Sequence, residues 1–126
     1  MYLYIREKTN ALSERLKLLQ VAPEPQLQKV LSTCSSLKYL STDIDSSQVM
    51  VKVDITRMPL PNDEFDVILC SHDLEHVLDD RQGMRELFRI LKPGGWAMLQ
   101  VPIALALEKT FENPAITDEQ GRIREF

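Results

Sequence analysis

The sequence predicts an α/β fold, a doubly wound parallel sheet, and three observations carry that prediction. First, short apolar runs of strand length alternate with stretches of helical period along residues 5–101. Second, Phe65-Asp66-Val67-Ile68-Leu69-Cys70 is a β-rich run with little polar relief, the composition of a central strand covered on both faces. Third, residues 80–91 read as a helix with the stripe Met84, Leu87, Phe88 and Leu91. Lys92-Pro93-Gly94-Gly95 ends it and residues 96–101 return as a strand, the closing half of a right-handed crossover.

The remaining elements follow in order. Residues 5–16 mix charges with Ile5, Leu12 and Leu16 and predict a short amphipathic helix. Residues 17–22 (KLLQVA) form an apolar run of strand length, stopped by Pro23. Pro25 stands where a first helical turn tolerates proline, and Leu27, Val30, Leu31 and Cys34 continue at helical spacing. Residues 37–40 (LKYL) give a second strand ending at Thr42-Asp43, and the alternation in residues 49–55 gives a third with Asp54 near its end. Met58-Pro59-Leu60-Pro61 is irregular, because two prolines fix the backbone and remove donors.

Composition narrows the function. The 126 residues suit one domain, and the net charge of −4 supplies no field for nucleic acid or an anionic membrane. The uncharged apolar runs are too short to span a bilayer, and MYLYIREKTN lacks the features of a signal peptide. The two cysteines, Cys34 and Cys70, fit a reducing compartment and read as small apolar residues, so the expected location is the cytoplasm. The four glycines, Gly83, Gly94, Gly95 and Gly121, all lie beyond residue 82. That excludes a glycine-rich phosphate loop in the N-terminal half.

In doubly wound sheets the ligand lies across the C-terminal ends of the strands. The candidates there are Ala22, Pro23 and Glu24 after the first strand and Asp43 and Ile44 after the second. Asp54 and Ile55 follow the third, and Ser71 and His72 the fourth. Asp43 stands where a carboxylate can accept from a ribose diol, and the competing reading is a solvated turn aspartate. Asp54 suits an exocyclic amine such as that of adenine, or a turn cap. Glu24 repels phosphate and favours a ligand with a cationic amine.

These residues carry a family resemblance. Phe65-Asp66-Val67-Ile68-Leu69-Cys70, then Leu74-Glu75-His76-Val77, then Leu87-Phe88-Arg89-Ile90-Leu91-Lys92-Pro93-Gly94-Gly95 resembles the class I S-adenosylmethionine-dependent methyltransferases, in particular the type 11-like subgroup acting on small molecules. Met58-Pro59-Leu60-Pro61 with Phe65-Asp66 is similar to that subgroup's LPF…FD stretch. The resemblance spans residues 18–101. It implies a Rossmann-like sheet of order 3-2-1-4-5, S-adenosylmethionine as cofactor, and methyl transfer to an O or N atom of a small molecule. Asp43 would then hold the ribose and Asp54 the adenine edge. Glu24 and its loop would face the methionine end, with Ser71 and His72 below the methyl group. Two departures stand out: Val21-Ala22-Pro23-Glu24 replaces a glycine-rich first motif, and the residues after Pro102 resemble an insertion cut short before the family's final antiparallel hairpin. The expectation is a core over residues 1–103 and a tail over 104–126, in a shortened relative or the middle of a longer protein. A non-catalytic remnant serving as an interaction module is the alternative.

His72-Asp73-Leu74-Glu75-His76 matches H-x-x-E-H, a zinc-peptidase string, but its setting directly after a buried strand is poor for it, and no metal is expected. His76 is a candidate catalytic residue through the resemblance, against the plainer reading of a packing or capping residue. Trp96 opens a strand and reads as core. The fifth strand would form an apolar sheet edge without lysine or proline inside it, so a homodimer or larger assembly through that edge or by tail exchange is expected.

Overall fold

A computed structural model describes residues 1–103, and residues 104–126, with the expected tail, lie outside the described part. Five parallel strands run β1 (Leu16–Val21), β2 (Leu37–Asp43), β3 (Val51–Lys52), β4 (Phe65–Ser71) and β5 (Leu91–Gln100). Their order is β3-β2-β1-β4-β5, as expected, so the sequence reverses direction across the sheet between β1 and β4. Helices α1 (Tyr2–Lys8), α2 (Pro25–Ser32) and α3 (Asp80–Ile90) flank it, with a single 3-10 turn at Leu74–His76.

Alternation along the strands sorts the core into two layers. Leu18, Val67 and Leu69 pack with Ile5 and with Leu27 and Leu31 of α2. Leu19, Val21, Ile68 and Cys70 face the other way, onto Leu87 and Ile90 of α3 and onto Val53, Ile55 and Leu74. β4 is buried on both faces, because it is flanked by β1 and β5 and covered above and below.

Four expectations need correction. Helix α1 ends at Lys8, not near residue 16, because the Thr9 hydroxyl donates to the Ile5 carbonyl and accepts from the Ala11 amide, diverting the backbone. The third strand is two residues long. Val53 and Ile55 are buried as the alternation requires, but Asp54 draws the Thr56 amide into a turn and the chain leaves the sheet. The buried face of α3 is Gly83, Leu87 and Ile90, whereas Phe88 is 80% exposed and Met84 40%. Gly83 faces the core closely: a Cβ there would stand 3.4 Å from Ile55 Cγ2 and 3.5 Å from Leu74 Cδ2, in ordinary van der Waals contact. Lastly, β5 begins at Leu91, five residues early, with Lys92-Pro93-Gly94-Gly95 inside the element. The pairing is irregular between Phe65 and Val67, and Gly94 takes a φ of +82° that other residues rarely adopt. Gly95 passes so close to β4 that a Cβ would stand 2.8 Å from the Asp66 carbonyl oxygen. Cys34 is half-buried against Ser36, while Cys70 is buried as expected.

One carboxylate fastens the N-terminal end of the sheet. Asp66 accepts from the Lys17 amide on β1 and from the Lys92 ammonium on β5, both at 2.8 Å. Burial pushes its carboxyl up, but these donors outweigh that and hold it below the usual carboxylate range. Lys17 also pairs with Glu64 through its ammonium. Among the described residues no helix is long and apolar enough to cross a membrane.

Candidate functional site

At the opposite end of the sheet, β1 and β4 both leave in left-handed backbone. Ala22 has φ +46° and His72 φ +55°, values costly for residues with a Cβ. The Ala22 amide donates to the Thr42 carbonyl and the His72 amide to the Gln100 carbonyl, so neighbouring strands hold both exits. Between them lies a shallow cleft lined by Met1, Gln20, Val21, Ala22, Glu24, Leu69 and Ser71. The Ser71 hydroxyl meets Gln100 Oε1 at 2.8 Å and the Met1 sulfur at 3.8 Å. Glu24 caps α2 through its backbone, accepting from the Gln28 amide, and its carboxylate makes no capping bond.

Asp43 and Asp54 are anchored in the same manner. Asp43 Oδ1 accepts from the Asp45 and Ser46 amides at 2.8 and 2.9 Å. Asp54 Oδ1 accepts from the Thr56 amide and hydroxyl at 2.8 and 2.7 Å. Each turn thus fixes Oδ1, as the turn reading expects, with no hydrogen bond to Oδ2 among the described residues. Ile44 is 60% exposed beside Asp43, whereas the Ile55 side chain is core and only its backbone is left for a ligand. Pro23 is half-buried in the β1 exit.

The sequence candidates form two groups. Ala22, Glu24 and Ser71 line the cleft, whereas Asp43 ends β2 and Asp54 lies two residues beyond β3, neither of them among the lining residues. Sequence reasoning passed over Asp73 and weighed Glu75 only as the candidate base of the H-x-x-E-H string. Burial pushes the Asp73 carboxyl up, and the charges of Asp43, Glu75 and Asp54 push it further, with His76 opposing them. Glu75 is the middle residue of the 3-10 turn, its side chain 7% exposed, with Oε1 3.5 Å from His72 Nδ1 and Oε2 buried without a donor. The same strand-end rule that singled out Ser71 and His72 reaches Asp73 one residue later. The H-x-x-E-H string does not form a regular helix: only Leu74–His76 is helical, and His72 stands outside it. Among the described residues no group of three or more His, Cys, Asp and Glu is arranged to hold a metal ion.

A doubly wound sheet of order 3-2-1-4-5, with carboxylates closing β2 and β3 and no phosphate loop after β1, has the Rossmann-like fold of the class I methyltransferases, whose methyl donor is S-adenosylmethionine. A family model described as a methyltransferase domain matches residues 12–99, and the chain belongs to that family. A demethylmenaquinone methyltransferase of Clavibacter sepedonicus is 41% identical over 51 residues, 40% of this chain and 21% of that protein. The ubiquinone/menaquinone biosynthesis C-methyltransferase UbiE of Vibrio campbellii (strain ATCC BAA-1116) is 37% identical over 65 residues, 49% of this chain and 25% of that protein. These matches therefore span a quarter or less of the relatives' length. Among solved structures, the cyclase SpnF superimposes with a TM-score of 0.66 at 20% identity, over 78% of this chain and 42% of SpnF. The carbon methyltransferase DszA gives 0.57 at 20% identity, over 68% and 28%. At such identities the likeness shows the fold alone, and a cyclase among the neighbours illustrates that this fold serves more than one reaction.

Proposed function

We propose that the chain is the cofactor-binding core of an enzyme that transfers a methyl group from S-adenosylmethionine to an O or N atom of a small molecule. The observation that carries the reading is the pair of half-anchored carboxylates on neighbouring strand exits, Asp43 at the end of β2 and Asp54 in the turn that follows β3. The donor set suits the ligand: two carboxylate oxygens for a diol and an amine, no cluster of cations for a phosphate, and Glu24 for an ammonium. When bound, S-adenosylmethionine supplies an already electrophilic methyl group, so the protein's contribution is chiefly alignment. Asp43 would accept from the ribose hydroxyls, held in direction by the Asp45 and Ser46 amides. Asp54 would accept from the adenine amine, and the Ile55 backbone would flank the ring. Ala22, Pro23 and Glu24 would line the methionine end, and Ser71 and His72 would form the floor. His76, exposed on the 3-10 turn, is the candidate for a proton-handling role toward the acceptor.

The test is calorimetric titration of the chain with S-adenosylhomocysteine. Micromolar affinity supports the reading; no binding at millimolar ligand overturns it in favour of a non-catalytic interaction module. The relatives named as C-methyltransferases favour a second acceptor type, a carbon atom. Isotopically labelled methyl transfer to phenol, amine and activated-carbon acceptors separates the two.

The assembly proposal concerns β5, which is paired only to β4 among the described residues. β5 carries Lys92 and Pro93 at its start, contrary to the expectation of an edge without lysine or proline. Residues 94–103 nevertheless carry no charge to repel a second copy, and Leu99 (40%) and, just past the strand, Val101 (47%) are exposed. A dimer through this edge would appear in light scattering at micromolar concentration. A monomer across that range overturns it.

A further inference from the structure

The rim of the sheet gathers four carboxylates among the described residues, with Asp43, Asp54 and Glu75 each acting on the charge of Asp73. Among the described residues, none of Asp43, Asp54, Asp73 and Glu75 is within ion-pair distance of a lysine or arginine, and Glu75 has only the His72 imidazole at 3.5 Å. The nearest lysine in sequence, Lys52, spends its ammonium on the Asp45 carbonyl. His76 offsets part of the field at Asp73. Most telling is Glu75, whose side chain is more than nine-tenths buried beside Asp73 and whose Oε2 meets no donor. A buried carboxylate oxygen in that condition is costly, and a positive charge brought to the rim lowers the cost.

We propose that this rim distinguishes the charged methyl donor from its uncharged product, binding the sulfonium more tightly than the corresponding thioether. The inference rests on the cofactor reading above and deepens it. Donor and product share adenine, ribose, ammonium and carboxylate, so those contacts cancel in a comparison of the two. They differ by a methyl group and one positive charge on sulfur. Transfer breaks the S–CH3 bond, leaves its electron pair on sulfur and forms the acceptor–CH3 bond, while the acceptor's proton passes to solvent water. The cation becomes a neutral thioether inside a field of four carboxylates, and the attraction that drew the donor in is gone. The rim would thus favour release of the spent cofactor.

The experiment is titration of the full chain with S-adenosylmethionine, with S-adenosylhomocysteine and with sinefungin, which places an amine cation where the sulfonium stands. At low salt the two cationic ligands should bind at least about fivefold tighter than the thioether, and the ratio should shrink in concentrated salt. Asp73→Asn and Glu75→Gln should bring the ratio toward one while thioether affinity stays within about twofold. Should Glu75→Gln not fold, Asp73→Asn at the half-exposed position carries the test. Equal or tighter thioether binding, or a ratio unmoved by the variants, overturns the inference and leaves the cofactor reading standing. Binding of none of the three removes both.

Discussion

Arg89 on α3 donates from Nη2 to the carbonyl oxygen of Met58, 2.8 Å away and 31 residues earlier in the chain. Its other nitrogen reaches the Leu60 carbonyl and Asn62 Oδ1, while Glu86 accepts from Nε and Nη2 and also takes the Met58 amide. Two prolines leave the segment from Met58 to Asn62 unable to make a regular ladder, and the Glu86–Arg89 pair replaces the missing bonds. That segment continues from the Asp54 turn, so α3 steadies the loop next to the rim.

Arg89→Ala should therefore lower stability by about 2 kcal/mol, the scale for losing hydrogen bonds to a charged group. Arg89→Lys should recover only part, since a lysine cannot fork across two carbonyls. Urea denaturation of the three proteins measures this, and an unchanged midpoint for Arg89→Ala would show the clamp to be idle.

The rotation of α3 makes opposite predictions for adjacent residues. Leu87→Ala should cost about 2–4 kcal/mol as a cavity in the core, while Phe88→Ser should stay within about 0.5 kcal/mol. Equal losses at both positions would restore the stripe through Met84 and Phe88.

Asp73→Asn should raise the melting temperature of the unliganded chain at pH 7. Burial and the neighbouring carboxylates hold the folded carboxyl above the ordinary aspartate range. Stability contributed by this group is present below the unfolded value and lost as pH rises through the folded one, so at neutral pH the ionised side chain works against the fold. The gap between variant and wild type should close as pH falls toward 3.8. Asp66 and Glu86 act in the opposite sense. Both are held below the usual carboxylate range, Glu86 chiefly by its bond to Arg89, so their contribution is lost on acidification below the unfolded value. Thermal melts of both proteins between neutral and acid pH give the curve.

Asp43→Ala should weaken S-adenosylhomocysteine binding by roughly tenfold or more, from the loss of about 1.5–3 kcal/mol of charged hydrogen bonding. Asp43→Asn keeps an oxygen for the Asp45 and Ser46 amides, so it separates ligand contact from turn support. Unchanged affinity in a folded Asp43→Ala removes the ribose assignment.

The strands were readable because burial on both faces leaves an unmistakable composition at 65–71, and the LKPGG segment that opens β5 pointed to the sheet order through family resemblance. The orientation of α3 was not, since Gly83 faces the core without carrying a hydrophobic signal, while Phe88 carries a strong one and is exposed to solvent. Asp43 and Asp54 were accessible through the rule that ligands gather at strand ends. Glu75 was not, because its role depends on an oxygen left without a donor by three-dimensional packing, and its sequence context suggested a metal string instead.

Asp66 gives the sheet a rivet. It joins β1, β4 and β5 at the end where those strands begin, whereas like charges crowd the end where the strands finish. A fan fastened this way spreads at its rim without loosening at its pivot. Amide hydrogen exchange should accordingly run along each strand as a gradient, slowest near Lys17 and Phe65 and faster toward Val21 and Ser71. A cation captured at the rim would flatten that gradient from one end, so the sheet's own breathing becomes a gauge of whether the site is filled.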